Sequence, residues 1–588
     1  MYETKLGVVI GYKEVYGVEG YSLPALISKL QKYDRQAVNN FLSASILMVT
    51  HDDSKAMGIN AHLTYMSFLL PNEDIEKINK YFMSHRDGAQ QAILYDQILL
   101  ALMKLNFEHN NDGGLGMVNP AEKLGFGKIL LSMNNLWLDS RTIMPYGREG
   151  TQRGIKETLR VLQAVEFLTI GDDPVLNLLV RGNYFIDEIQ KDTRLDFAAI
   201  FKNATGIDIE NYMDLVFCLS LGWTVVDFEK ISDNIYKNKN TYFSNTRIPE
   251  DQIKKFIDLV SFETDDYLLL TQKYLRRLGL KKDSLYSHIT FLLKPINRRG
   301  DLLTCVNPYF VTNLLTEGAY NIVREAVKGT NKEHALPSLW GDVFEKYIHH
   351  IFNETFKKQY VDKVVNPDGT DSIDGIIELK RTVLLIESKY PHWTYGARVT
   401  GKRDLMRSFI FKIARYKPYK DSNRSGQKTR KKKKGFGQLK QFIEHYNSGA
   451  FKGVYDFTGK KLIPIVVLGE SFPFDPINME LLINHINDQG CLIRQRGVGY
   501  PILLSAEEVE LVQSLVQAKS IDKFEEIILQ YSDDIDNAYA HRTPYFHRPT
   551  TFKNAVHNTK ISIPNNSFIK KRFDKITDRI RALLEPES

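Results

Sequence analysis

The feature that most constrains the fold is a pair of apolar runs separated by the charged dipeptide Lys380-Arg381. Residues 374–379 (DGIIEL) and 382–389 (TVLLIESK) are rich in the aliphatic and β-branched residues that favour strands. A short polar break between two such runs indicates an antiparallel hairpin. The sequence therefore predicts that these two runs form a hairpin that turns at Lys380-Arg381.

The register of this hairpin follows from the position of its turn. If the chain turns at Lys380-Arg381, Asp374 faces Glu387 and Ile376 faces Leu385, and the Cβ atoms of such partners lie only about 4.5–5.5 Å apart. Side chains alternate between the two faces of a strand, so Lys389 shares a face with Glu387. The prediction is two carboxylates and one ammonium group at the open end of an apolar hairpin.

Such a group of charges predicts a particular chemistry. Charges in apolar surroundings are costly unless they are paired or bind a cation, and Mg²⁺ or Mn²⁺ would relieve the repulsion between two neighbouring carboxylates. A bound ion would polarise a phosphodiester and help to generate hydroxide from water. Lys389 would orient or deprotonate that water, or neutralise charge on the phosphate. The alternative is a strand-end ion pair of Glu387 and Lys389, with Asp374 as a turn residue.

The segments around the hairpin extend this pattern to an α-β-β-β-α-β order. Its elements are a helix at 341–356, strands at 360–365, 374–379 and 382–389, a helix at 437–446 and a strand at 461–468. Within this order, Asp374 followed after twelve residues by Glu387-Ser388-Lys389 resembles the PD-(D/E)XK nuclease superfamily, which has the restriction-endonuclease-like fold. The resemblance covers roughly residues 336–469.

The resemblance implies roles for individual residues. Asp374, Glu387 and the backbone carbonyl of Ser388 would hold the metal, and Lys389 would be the catalytic lysine. Glu345 would be the carboxylate of the first helix that supports the metal or its water; the alternative is an exposed helix acid. A further candidate for the catalytic set is Gln438, which resembles the glutamine that many members carry on the second core helix.

Two features depart from the family pattern. Some related nucleases carry a tyrosine four residues after the glutamine, but this chain has Phe442 there, which leaves the role of Tyr446 open. The literal Pro-Asp pair is Pro367-Asp368. Pairing Asp368 or Asp371 with Glu387 would place the turn among apolar strand residues, so Asp374 fits better, although a contribution from either acid stays open.

A basic segment follows the third strand of the predicted unit. Residues 401–434 contain 14 Lys or Arg and two Asp, whereas the whole chain has a net charge of +7. Such a concentration favours a polyanionic partner; the alternative is a solvated basic loop. The candidate nucleic-acid-binding residues are Arg398, Lys402, Arg403, Arg407, Arg424, Lys428, Arg430, Lys431, Lys432, Lys433 and Lys434.

The flanking regions indicate an α+β protein with mainly helical ends. Apolar residues recur at three- and four-residue spacing at 26–42, 89–107, 154–167 and 249–262, and 238–245 is a candidate linker. The predicted division is a helical recognition or regulatory region at 1–330 (one or two domains), a nuclease-like domain at 331–474 and a helical region with a basic aromatic tail at 475–588. The predicted fold class is thus α+β, with a central restriction-endonuclease-like α/β domain.

Other features narrow the setting of the protein. The N-terminus lacks the layout of a signal peptide, no stretch is long and apolar enough to span a membrane, and three scattered cysteines fit a reducing cytoplasm. We found no ATPase signature, so energy-dependent translocation would need a separate ATPase or helicase partner.

Together these features predict an endonuclease that hydrolyses DNA with Mg²⁺ or Mn²⁺, with a role in restriction or anti-phage defence. An RNA nuclease and a catalytically inert nucleic-acid-binding scaffold remain alternatives. One site per chain cuts one strand, so a double-strand break would require a homodimer or two sequential nicks.

Overall fold

The structure is a computed structural model, and all structural statements refer to the residues that it describes. These are residues 8–50, 63, 66–84, 91–92, 94, 96–116, 120–137, 175–224, 235–279, 287–366, 368–391, 409–416, 433–469, 476–491, 495–540, 551–559, 561 and 566–584. The predicted helix at 154–167 lies outside these ranges. Within them, every helix is too short or too polar to cross a bilayer.

A five-stranded mixed sheet occupies the predicted nuclease-like region. Its strands are β1 (Tyr360–Val365), β2 (Asp371–Glu378), β3 (Thr382–Lys389), β4 (Lys461–Leu468) and β5 (Ile502–Ser505). The order across the sheet is β5-β4-β3-β2-β1; β1, β2 and β3 are antiparallel neighbours, and β4 and β5 run parallel to β3. Strand β5 lies beyond residue 474, where the sequence predicts this unit to end.

Two helices cover the opposite faces of the sheet. Helix α1 (Ala335–Phe356) shares a core with Leu384 and Ile386 of β3, whereas α2 (Phe436–Asn447) shares another core with Val383 and Leu385. Alternate side chains of β3 thus point into two different apolar layers, one on each face of the sheet. Both sets must be apolar, so the strand is a continuous apolar run in the sequence. The predicted α-β-β-β-α-β order is confirmed, although α1 begins earlier than predicted.

The tight turn of the β2–β3 hairpin is held by a residue that is distant in sequence. The backbone N–H of Leu379 donates to the carbonyl oxygen of Thr382 at 2.9 Å. Glu525, on helix Ile521–Ala540, accepts hydrogen bonds through Oε1 from the backbone N–H groups of Arg381 and Thr382 at 2.6 and 2.9 Å. The C-terminal helical region therefore fixes the turn that sets the hairpin register.

The first 330 residues are mainly helical, but they also contain a small four-stranded sheet. The predicted helix at 26–42 is two helices, and the predicted linker at 238–245 is the end of a strand followed by a turn. The helices are Tyr12–Tyr16, Leu23–Leu30, Arg35–Thr50, Asn72–Ser84, Asp96–His109, Pro120–Trp137, Val175–Ile189, Phe197–Thr205, Ile209–Thr224, Glu250–Val260, Tyr267–Arg277, Ile289–Leu293, Pro308–Thr312 and Ala319–Val327, with a π-helical turn at Leu314–Gly318. The sheet strands are Tyr236–Asn238, Ser261–Glu263, Ile296–Arg299 and Leu302–Cys305, and Val8–Val9 pairs with Gln91–Ala92.

One hydrophobic core includes residues of the five-stranded sheet, of helices that precede the sheet in the sequence and of helices that follow it. Buried among these helices, Arg181 donates two hydrogen bonds to Glu510 Oε1, at 3.0 and 2.6 Å, and the Tyr347 hydroxyl donates to the same oxygen at 2.6 Å. These three side chains come from Val175–Ile189, α1 and Ala506–Ala518. The other C-terminal helices are Pro476–Asp488, Phe552–Asn558 and Ser567–Leu584.

We expect Glu525→Ala to lower the free energy of unfolding by about 2 kcal/mol, because it strands two backbone N–H groups at the hairpin turn. Glu525→Gln keeps an acceptor and should lose less. The matched control is Glu526→Ala, which removes an exposed carboxylate paired with Lys523 on the same helix. Chemical denaturation measures all three; equal stability of the two alanine variants would show that the turn does not depend on Glu525.

Candidate active site

The open end of the β2–β3 hairpin brings the predicted acid pair together. The residue pairs Gly375–Ile386, Ile376–Leu385 and Glu378–Val383 confirm the predicted register, which continues towards Asp374 and Glu387. The backbone N–H of Ser388 donates to Asp374 Oδ2 at 2.6 Å. Asp374 is thus attached to the strand end that carries the Glu-Ser-Lys sequence.

Glu387 is the most deeply buried group of this site. Its side chain is 0% exposed, and its Oε1 accepts a hydrogen bond from the Lys389 ammonium group. Among the described residues, nothing hydrogen-bonds its second oxygen, Oε2. Burial, together with the negative charge of Asp374, raises the pKa of Glu387 to about 8. Glu387 therefore has one satisfied oxygen and one buried oxygen that none of the described residues hydrogen-bonds.

Asp374 and Lys389 respond to the same charges. Burial raises the pKa of Asp374, as does the charge of Glu345, while Lys389 and the Ser388 N–H oppose the rise. Burial alone would lower the pKa of Lys389, but Glu387 and Asp374 outweigh it and raise that pKa above its ordinary value. The Lys389 side chain is 25% exposed, so its ammonium group stays charged beside the two carboxylates and within reach of solvent.

Helix α1 adds a third acid, Glu345, to Asp374 and Glu387; these three acids are called the carboxylate cluster below. His349, one turn further along the helix, forms a hydrogen bond with Glu345 Oε1 through Nε2 at 3.3 Å. This bond lowers the pKa of Glu345, burial opposes the change, and the charge of Lys389 adds to it. Since Glu345 also affects the pKa values of Asp374 and Glu387, it lies within the electrostatic reach of both.

The donor set fits a hard divalent cation. Within the described residues, no three His, Cys, Asp or Glu side chains are grouped closely enough to hold a metal ion by themselves. Mg²⁺ commonly takes one or two carboxylates and completes its shell with water and substrate phosphate. Asp374 and Glu387 provide two carboxylates, and no donor in the described part of the chain reaches the buried Oε2 of Glu387. These residues therefore suit Mg²⁺ or Mn²⁺.

Three other residues considered in the sequence have structural contacts. Gln438 lies in the first turn of α2, where its Oε1 accepts a hydrogen bond from the Gly435 N–H at 3.2 Å, so its catalytic role stays a prediction. The Tyr446 hydroxyl accepts a hydrogen bond from the Phe457 N–H at 2.8 Å. Asp368 accepts hydrogen bonds from the N–H and hydroxyl groups of Thr370, at 3.0 and 2.6 Å, and so stabilises the loop before β2.

Within the basic segment, the structure describes residues 409–416 and 433–434. Ala414–Arg415 and Lys434–Gly435 pair as two short antiparallel strands. The Lys433 ammonium group lies 4.2 Å from the centre of the Tyr416 ring, and Tyr416 donates a hydrogen bond to Glu444 at 2.6 Å. The described parts of the segment are therefore anchored beside α2. Predicted nucleic-acid contacts that lie outside the described residues are Arg398, Lys402, Arg403, Arg407, Arg424, Lys428, Arg430, Lys431 and Lys432.

Sequence reasoning missed two features next to the site. The first is His349: its spacing from Glu345 was visible in the sequence, but its contact with Tyr360 of β1 required the fold. The second is Lys363, an exposed non-glycine residue with a φ of 54°. It lies between the pairs Asp362–Gly375 and Val364–Ile373, and so beside Asp374 on the neighbouring strand. No sequence signal indicates that backbone conformation.

Comparison with known proteins adds little to this geometry. No family model and no curated protein matches the sequence. Among solved structures, the restriction endonuclease FokI aligns over 84% of this chain and 96% of its own, at 12% identity and a TM-score of 0.19. That TM-score is too low to support any inference about this chain.

We expect Lys363→Gly to raise the free energy of unfolding by about 0.5–1 kcal/mol, because glycine relieves the left-handed strain that a Cβ imposes and this gain exceeds the entropy cost of glycine. Lys363→Ala keeps the Cβ and should not stabilise the protein. Asp362→Gly, at the neighbouring position with ordinary backbone geometry, should destabilise it. Denaturant titration gives the free energy of unfolding of the three variants. If Lys363→Gly were no more stable than Lys363→Ala, the backbone at Lys363 would not be strained.

Proposed function

We propose that this protein is a metal-dependent nuclease that hydrolyses DNA phosphodiester bonds. The observation that carries the proposal is Glu387: a fully buried carboxylate with one oxygen bound to Lys389 and the other without a hydrogen-bond partner among the described residues. Buried polar atoms in purely structural ion pairs are usually satisfied. A buried free oxygen beside a second carboxylate favours a cation site instead.

The acidic residues and the lysine of the site would have different roles. Asp374, Glu387 and the carbonyl oxygen of Ser388 would hold Mg²⁺ or Mn²⁺. When bound, that ion would polarise the scissile phosphodiester and lower the pKa of a water molecule. Lys389 would orient or deprotonate the attacking water, or neutralise the charge that develops on the phosphate.

The substrate assignment rests on two further features. The basic segment follows β3 in sequence, and its last residue, Lys434, pairs with Arg415 in a short strand before α2, which covers the same sheet. This concentration of positive charge beside the sheet favours a polyanionic substrate. The resemblance of Asp374 and Glu387-Ser388-Lys389 to PD-(D/E)XK nucleases favours DNA, and restriction or anti-phage defence is the role that we propose by the same resemblance.

We expect Lys389→Ala, Asp374→Asn and Glu387→Gln each to slow DNA cleavage by about 100-fold or more, because each removes a group that stabilises the transition state or holds the ion. Glu378→Gln is the matched control, since it removes an exposed acid at the other end of strand β2. Incubation with duplex DNA, single-stranded DNA or RNA, in Mg²⁺ or EDTA, provides the readout.

The outcomes of this assay separate the alternatives. Cleavage of RNA alone would make the protein an RNA nuclease. Binding without cleavage of any substrate would make it a scaffold, and a Lys389→Ala variant as fast as the wild type would exclude the proposed mechanism.

The basic segment makes a separate prediction about binding. Replacing Lys431–Lys434 with alanine should weaken DNA binding at low salt and reduce the slope of log K against log salt concentration by up to roughly 3–4, if all four lysines contact phosphates. Replacing the exposed Lys328 and Lys332 is the control. An unchanged slope in the four-lysine variant would show that the segment does not contact the nucleic acid.

A further inference from the structure

A chain of three side chains leads from strand β1 to the carboxylate cluster. The Tyr360 hydroxyl hydrogen-bonds His349 Nδ1, and His349 Nε2 lies 3.3 Å from Glu345 Oε1. His349 is 7% exposed, and both of its ring nitrogens have partners. A buried histidine with both nitrogens engaged has a fixed ring orientation, as do the histidines that orient ligands in many metal sites.

The backbone of β2 is shaped to admit Tyr360. The β1–β2 register pairs Tyr360 with Ile377, and its ring lies over Gly375, the residue after Asp374. A Cβ atom at Gly375 would lie 2.7 Å from both Cε2 and the hydroxyl oxygen of Tyr360. Glycine at this position therefore lets the ring approach the strand that carries Asp374.

One of these two hydrogen bonds has a defined direction. Burial, together with the charges of Asp362 and Asp374, raises the pKa of Tyr360 above its ordinary value, so its hydroxyl group keeps its hydrogen beside Nδ1. A carboxylate can only accept, so Nε2 of His349 carries a hydrogen and donates it to Glu345. This is consistent with the lowered pKa of Glu345, because a hydrogen bond to a carboxylate favours its charged form.

We propose that His349 and Tyr360 are positioning residues that hold the Glu345 carboxylate beside the ion site of Asp374 and Glu387, where Glu345 would support the ion through its bound water. This inference rests on the proposed function and adds two residues to it. Their role is indirect: neither needs to touch the ion or the substrate, and both act through the orientation of the Glu345 carboxylate.

The next residue of α1 provides an internal control. His350 lies 3.4 Å from Glu354, with the same four-residue spacing, and its side chain is 43% exposed. Its ring packs on Phe568, away from the sheet. Changes at His350 therefore affect an equivalent helix pair without disturbing the cluster.

Two substitutions at His349 distinguish the roles of its two ring nitrogens. The amide nitrogen of glutamine takes the place of Nε2, so His349→Gln keeps the donor to Glu345. Asparagine ends near Nδ1, so His349→Asn keeps the Tyr360 contact but loses the donor to Glu345. Tyr360→Phe keeps the ring over Gly375 and removes only the hydroxyl group. A purely packing role would not distinguish these variants in this way.

The decisive measurement is Mn²⁺ affinity, by calorimetry on the full-length protein without nucleic acid. We expect His349→Asn to weaken Mn²⁺ binding about tenfold, His349→Gln to bind as the wild type does and Tyr360→Phe to lie between them. His350→Asn should have no effect. His349→Asn combined with Glu345→Gln should bind no more weakly than Glu345→Gln alone, because both changes act on one carboxylate.

The outcomes also separate this inference from the proposed function. Wild-type affinity in a folded His349→Asn variant, or additive effects in the double variant, would overturn the positioning role. A wild-type protein that binds Mn²⁺ but cleaves no nucleic acid would refute the nuclease proposal, while the variants still decide the role of His349. A wild-type protein that binds no Mn²⁺ would overturn the inference itself.

Discussion

The register of the β2–β3 hairpin is the constraint on which the candidate site depends. A slip of one residue would turn Glu387 and Lys389 to the opposite face of the sheet, away from Asp374. Several contacts oppose such a slip. Glu525 holds the turn, β4 pairs with β3 along its length, and the ring of Tyr360 fits only over a glycine in β2. The apolar residues of the hairpin add to this, because each face must meet its own helix layer.

Burying charges at the end of this hairpin opposes stability, and the surroundings only partly compensate. Lys389 satisfies one oxygen of Glu387, the Ser388 N–H satisfies one oxygen of Asp374, and His349 engages Glu345. The pKa values of Asp374 and Glu387 are raised because burial and the neighbouring negative charges are not fully compensated by these contacts. Sites that bind cations or catalyse reactions tolerate such imbalance, because the bound ion supplies the missing charge.

The sequence was sufficient for the local features of this unit and insufficient for the long-range ones. The strand alternation and the polar break at Lys380-Arg381 were enough to predict the β2–β3 register. The contact of Glu525 with the turn spans 144 residues, and no local pattern indicates it. Strand β5 was missed because three apolar residues directly before a helix resemble the start of that helix. The predicted helix at 26–42 failed because the chain at Tyr33 leaves the helix to bridge with Leu115.

The candidate site shows the same limit. Asp374, Glu387 and Lys389 could be proposed from alternation alone, and Glu345 from the resemblance. The partners of Glu345 could not, because the contact of His349 with Tyr360 depends on how α1 crosses β1. The left-handed backbone of Lys363 was equally hidden, since lysine gives no sign of a positive φ. Strand alternation thus predicted Asp374, Glu387 and Lys389. The contacts that fix the position of their neighbours depend on tertiary packing.

The central claim is that Asp374 and Glu387 together bind a divalent cation. Anomalous diffraction from crystals of the protein soaked in Mn²⁺ tests it most directly. We expect an anomalous peak between these two carboxylates in the wild type and its loss in Glu387→Gln crystals grown in the same form. No peak at this position in the wild type, or an equal peak in the variant, would contradict the claim.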